Sequence, residues 1–112
     1  MKKYDIVLVD LNPIKWSEQA WVRPCIIIQN NFANKFAKTF VIAIISSVIK
    51  DYPHTLIIDK SYINWLECES RIDLLQIRTI DIQRILQNLW ELDLEYRFEL
   101  DQKLKIAFWI DY

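Results

Sequence analysis

Asp5-Ile6-Val7-Leu8-Val9-Asp10 is a run of β-branched and apolar side chains held between two acids. It is too short for an ordinary helix, and it predicts a strand. Asn12-Pro13 follows as a turn initiator, and the polar stretch from Ile14 to Gln19 predicts a long exposed loop of the kind that carries function. Further on, Val22 to Gln29 and Thr39 to Ile49 predict two more strands, with one helical turn in the amide-rich segment Asn30 to Lys35 between them. Thr55-Leu56-Ile57-Ile58, after a turn at Tyr52-Pro53, predicts a fourth strand, and Ile72 to Ile80 one or two more. Five to seven short strands in about 80 residues imply a compact barrel or sandwich. The end of the chain changes period: Tyr96, Leu100, Leu104, Ala107 and Phe108 recur at helical spacing behind Asp93, a good N-cap residue. Glu95, Glu99, Gln102, Lys103 and Lys105 supply the polar face of that helix. The expected fold is mainly β with a C-terminal helix.

Size and composition narrow the class. A chain of 112 residues has room for one core and is expected to form a single domain over residues 1–112. With 53% hydrophobic and 26% charged residues it falls outside the disordered and low-complexity classes. The longest apolar runs, such as Phe40 to Ile49, are far short of the ~20 residues that cross a bilayer. Met1-Lys2-Lys3-Tyr4-Asp5 lacks the apolar block of a signal peptide, so a cytoplasmic protein without membrane attachment is expected. Cys25 and Cys68 form neither a CxxC pair nor a set with histidine, and Cys25, within an apolar run, reads as a small core residue.

The residues also exclude chemistries. No H-E-x-x-H, carboxylate cluster or Gly-rich phosphate loop is present, so metal-dependent nuclease and nucleotide-hydrolase readings lack support, and neither metal nor cofactor is expected. His54 is the only histidine, which rules out a paired-histidine ribonuclease and leaves His54 as a loop residue ahead of the fourth strand. The aromatics Tyr4, Phe32, Phe36 and Phe40 have faces on which bases could stack, but in a small β protein such residues are usually core. Residues 1–60 carry 8 basic and 5 acidic groups against 6 and 10 in residues 61–112, so an anion-binding surface is expected from the first half.

Asp5-Ile6-Val7-Leu8-Val9-Asp10-Leu11-Asn12-Pro13, then Ser17-Glu18-Gln19-Ala20 and Val22-Arg23-Pro24, resemble the opening signature of the MazF/PemK toxins. The likeness continues through Ile27-Ile28-Gln29-Asn30, Tyr52-Pro53-His54-Thr55 and Gln76-Ile77-Arg78-Thr79-Ile80-Asp81, in order along nearly the whole chain. This resemblance implies a small SH3-like or CcdB-like β-barrel with peripheral helices and a homodimer that binds single-stranded RNA along its interface. It also implies a cognate antitoxin of the MazE/PemI kind in the same groove, with DNA binding by the toxin–antitoxin pair. By the same resemblance Arg23 is a catalytic group and Ser46 stands where the family has an assisting threonine. Ser17, Glu18, Gln19, Pro24 and Gln76 are the residues placed around the RNA. Leu75 takes a position where the family usually has glutamate.

The implied reaction, a metal-independent, sequence-specific endoribonuclease cut, suits these residue types. RNA carries its own nucleophile in the 2′-hydroxyl, so a protein can act by holding the chain in line and stabilising charge on the phosphorane. Arg23 is a permanent cation with a fork of donors matched to phosphate and a poor base, which assigns it electrostatic stabilisation first and proton donation to the leaving oxygen second. Taken alone, Arg23 is a surface arginine near a strand start and Ser46 a strand-end hydroxyl; the surrounding motif reverses that preference for Arg23. The alternative is a gyrase-poison-like or catalytically degenerate chain on the same barrel that only binds its antitoxin or DNA.

One anomaly stands apart. A chain of this length at average usage holds ~8 glycines; this one has none, and five tryptophans. Trp16, Trp21, Trp65 and Trp90 fall where the resemblance implies glycine, and Trp109 is a candidate fifth. The reading is that a codon meaning glycine in the source stands here as tryptophan, with deliberate substitution as the alternative. The difference is physical, because glycine reaches φ > 0 in tight turns without the steric cost that an indole-bearing residue meets there.

Overall fold

The computed structural model describes residues 1–12 and 21–108. Ser17, Glu18 and Gln19, with Trp16 and Trp109, lie outside the described residues. In chain order the elements are β1 (Asp5–Asp10), β2 (Val22–Ile27), α1 (Asn31–Asn34), β3 (Thr39–Ser46), β4 (Thr55–Ile58), β5 (Ser70–Asp81), β6 (Ile85–Glu91) and α2 (Leu94–Phe108). The six strands form one antiparallel sheet in the order β4-β5-β3-β2-β1-β6, curled into a half-barrel and joined by the C-terminal helix. The mainly-β expectation is met.

Adjacent residues of a strand point to opposite faces, and here both faces are buried. Ile6, Ile26, Ala43, Ile45, Ile72 and Leu74 join Leu92 and Leu100 in one core, against which Tyr96, Leu104 and Ala107 of α2 pack. Val7, Val9, Cys25, Ile27, Phe40, Ile42 and Ile80 form a second core on the other face. The two-sided burial explains why these strands are near-continuous apolar runs. Cys25 is fully buried, as its setting in the sequence implied.

Three strands differ in detail from expectation. Strand β2 ends at Ile27; the Ile28 N–H still donates to the Val41 carbonyl at 3.0 Å, while the Val41 N–H donates to the Gln29 side-chain Oε1 at 3.3 Å in place of a backbone carbonyl. Strand β3 stops at Ser46 because the Ser46 Oγ accepts the Val48 N–H at 3.1 Å, turning the backbone out of the ladder. Strand β5 is one long strand, kinked where Ala43↔Ile77 gives way to Ile45↔Ile72, so that residues 73–76 bulge out of the β3 pairing. Strand β6 was not expected. Its sequence Ile85-Leu86-Gln87-Asn88-Leu89-Trp90-Glu91 lacks strict alternation, because two register shifts interrupt its pairing with β1.

Some side chains also depart from the predicted core. Phe108 is exposed, although Tyr96, Leu104 and Ala107 pack and Leu100 is fully buried. Phe40 is buried, but Phe32 and Phe36 are 78% and 79% exposed around α1 and contact each other edge to face at 6.0 Å. The helical turn itself is set by Asn30, whose side chain caps it by accepting the Ala33 N–H at 2.8 Å. No helix of the described residues is long and apolar enough to cross a membrane.

Candidate active site

Strand pairing and one shared cavity bring three polar residues together. Strands β2 and β3 pair as Cys25↔Ile44, Ile26↔Ala43 and Ile27↔Ile42, and beyond that pairing Arg23 lies two residues before Cys25 on β2 and Ser46 two residues after Ile44 on β3. On the other side of β3, Ser46 pairs directly with Arg71 of β5. Cross-strand partners share a face, so Ser46 and Arg71 stand side by side on neighbouring strands, and Arg23 comes from the next strand, β2. They line one open cavity of about 810 Å³, together with Pro24, Gln76 and Trp65. The structure therefore gathers four of the predicted residues, Arg23, Pro24, Ser46 and Gln76, at one place, although they come from three separate strands.

Each polar group there is free to engage a ligand in its own way. Arg23 is exposed, and its guanidinium makes one weak bond, from Nη1 to the Val22 carbonyl at 3.3 Å, leaving most of its donors unengaged among the described residues. The Ser46 Oγ already accepts the Val48 N–H, so its own proton is the part left to donate outward, as binding a phosphate oxygen requires. Gln76 is exposed on the bulge of β5, next to the exposed Leu75.

Asp73 also lines the cavity, but its charge is committed. Its Oδ1 accepts the Leu75 N–H at 3.0 Å and lies 3.7 Å from Nε2 of His54, which stacks on Tyr52 at 5.3 Å. His54 is thus held as a structural loop residue against β5. Beneath Arg23, burial pushes the Cys25 thiol from 9.0 up to about 12, with only partial opposition from the Arg78 and Arg23 charges. A thiol so poorly ionised is no nucleophile. Among the described residues, no three His, Cys, Asp or Glu side chains gather as a metal-binding group.

The far wall of the cavity is the turn Asp59 to Leu66. Its centre is Asn64, fully buried, whose Oδ1 accepts the N–H groups of Ser61 (3.1 Å) and Leu66 (3.0 Å) while Nδ2 donates to the Asp59 carbonyl (2.9 Å) and to Asp93 Oδ1 (2.8 Å). All four hydrogen-bonding sites of the amide are filled. The next residue, Trp65, has φ 54°, in the left-handed region that favours glycine, and its indole is 63% exposed at the rim of the cavity. Trp21 is exposed, and Trp90 is half-buried against the first core. Sequence reasoning missed Arg71: an arginine in Ser70-Arg71-Ile72-Asp73 looks like any solvent-facing strand position, and only its pairing to Ser46 marks it.

Residues 2–108 match the family described as PemK-like, MazF-like toxin of type II toxin–antitoxin systems. The chain is 38% identical over 110 residues to the endoribonuclease EndoA of Bacillus subtilis, covering 96% of this chain and 93% of that one. It is likewise 38% identical over 110 residues to the endoribonuclease MazF of Staphylococcus epidermidis, covering 96% and 90%. Among solved structures, an endoribonuclease in complex with its cognate antitoxin from a mycobacterial species superposes with a TM-score of 0.82, covering 100% of this chain and 98% of the other at 15% identity, a likeness of fold.

Proposed function

The chain belongs to the PemK/MazF family of type II toxin–antitoxin toxins, and from this premise we propose that it is an endoribonuclease that cuts single-stranded RNA with no metal ion. The observation that supports this most is the exposed Arg23 lining one open cavity together with Ser46. In the reaction the 2′-oxygen of one nucleotide attacks the adjacent phosphorus, the P–O5′ bond breaks, and the products are a 2′,3′-cyclic phosphate and a free 5′-hydroxyl. Charge builds on the non-bridging oxygens as the phosphorane forms. Arg23 neutralises it with parallel N–H donors, and the Ser46 hydroxyl donates to one of the same oxygens. The 2′-proton is lost to solvent, and the leaving 5′-oxygen takes a proton, for which the Arg23 guanidinium is the donor at hand. Ser17, Glu18, Gln19, Pro24 and Gln76 hold the flanking nucleotides.

The protein works as one domain and as a homodimer in the cytoplasm, and a cognate antitoxin of the MazE/PemI kind silences it by covering the groove. Arg23→Ala tests the assignment. A folded variant should lose at least ~100-fold in cleavage rate, the usual cost of removing a main electrostatic stabiliser. Undiminished cutting would contradict the role of Arg23. An unaltered protein that binds its antitoxin and cuts no RNA would instead favour a binding-only toxin-fold protein.

A further inference from the structure

The family motifs leave Arg71 without a role, yet it lines the same cavity. We infer that Arg71 is a positioning residue that grips a second phosphate of the RNA backbone, next to the one being cut; this rests on the ribonuclease reading above. Three observations carry it. First, Arg71 pairs with Ser46 across β3 and β5, and Arg23 lies on β2, the strand on the other side of β3, with neighbouring strands ~4.8 Å apart. Secondly, the Arg71 Nε is buried and has no hydrogen-bond partner, and no carboxylate among the described residues makes an ion pair with the guanidinium. The carboxylate nearest in sequence on the same strand, Asp73, accepts the Leu75 N–H through Oδ1 and makes no ion pair with Arg71. Thirdly, Arg23 and Arg71 both line one cavity.

The buried Nε is out of a ligand's reach, but an arginine that lines an open cavity with no carboxylate partner among the described residues has its natural complement in an anion brought by a ligand. Single-stranded RNA offers one phosphate per nucleotide, at intervals that successive cations along a groove can follow. Arg23 takes the reacting phosphate, and Arg71 takes its neighbour with the fork geometry suited to phosphate oxygens. The substrate class is thereby narrowed: the protein should require an RNA with a charged phosphodiester flanking the cleavage site, and a dinucleotide with a single phosphate should be a poor substrate. Because the second phosphate keeps its charge through the reaction, the contact supports binding equally in ground and transition states, which raises KM on its loss and spares kcat.

The experiment uses the full chain and short RNAs containing its own cleavage motif, with the phosphodiester on either side of the cut replaced in turn by an uncharged methylphosphonate. Arg71→Gln should raise KM about tenfold with kcat within about threefold, and should lower the slope of log KM against log salt by ~0.7, the single-strand increment for one phosphate contact. In the unaltered protein one of the two neutral linkages should raise KM by a similar factor, and it should add nothing further in Arg71→Gln. Arg71→Lys, which keeps the charge without the fork, should fall between. The inference is overturned if Arg71→Gln leaves KM and the salt slope unchanged, or if its penalty adds fully to that of both neutral linkages. Should Arg71→Gln fail to fold, the unaltered protein still decides: indifference to both neutral linkages overturns it. If the unaltered protein cuts no RNA at all, the ribonuclease reading itself fails.

Discussion

At the scale of single residues, the site depends on which donors are left unengaged. Ser46 has its acceptor side committed to the Val48 N–H and its proton available, so Ser46→Ala should lower cleavage by roughly tenfold, the worth of one hydrogen bond to a charged group. Ser46→Thr should keep or raise the rate, since a β-branched hydroxyl has fewer rotamers to lose; initial rates on a single RNA compare the three. Cys25 offers a separate check. Its thiol is raised to about 12 by burial, so it binds a proton more tightly folded than unfolded. The stability this represents is complete below pH 9.0 and is lost as pH rises from there towards 12. A maleimide at neutral pH should therefore label one thiol, the exposed Cys68, in the native protein and two after denaturation; rapid labelling of both in the native state would contradict the burial. Arg23 and Ser46 were legible in the sequence through the motif that surrounds them. Arg71 did not stand out, because only its pairing with Ser46, from a strand distant in the chain, marks it.

At the scale of elements, the turn from Asp59 to Leu66 both shapes the cavity and ties it to α2. Asn64 carries four hydrogen bonds there, one of them to Asp93 directly before the helix. Asn64→Ala would strand several buried partners and should cost about 2–4 kcal/mol in denaturant unfolding, whereas Trp65→Gly should stabilise by about 1 kcal/mol, because glycine removes the steric cost of the left-handed conformation that Trp65 adopts. A destabilised Trp65→Gly would show that the indole packs usefully where it stands. Strands β1 and β4 were legible in the sequence to the residue, since runs of β-branched side chains buried on both faces leave no other reading. Strand β6 was hidden by its register shifts, and the outward-facing Phe32 and Phe36 cannot be told from core aromatics by composition.

At the scale of the whole molecule, the glycine-free composition and the fold bear on each other. The curled sheet and its C-terminal helix share the fold of solved toxins of this kind although the chain has no glycine, and Trp65 adopts a left-handed backbone conformation that favours glycine. If the codon reading is right, the protein from its own source carries glycine at positions 16, 21, 65, 90 and 109. Intact-mass spectrometry would then find it lighter than this sequence by five tryptophan-to-glycine differences; a mass agreeing with tryptophan would end that idea.

The claim on which everything else rests is metal-independent cleavage through the substrate's own 2′-hydroxyl. The most direct measurement is to incubate the protein with a single-stranded RNA in EDTA, beside the same RNA carrying one 2′-deoxynucleotide on the 5′ side of the mapped cut, and to identify the product ends. The first should be cleaved to a 2′,3′-cyclic phosphate and a 5′-hydroxyl, and the second not at all at that position. Cleavage of the deoxy-substituted strand, a 5′-phosphate product, or a reaction restored only by added metal would contradict it.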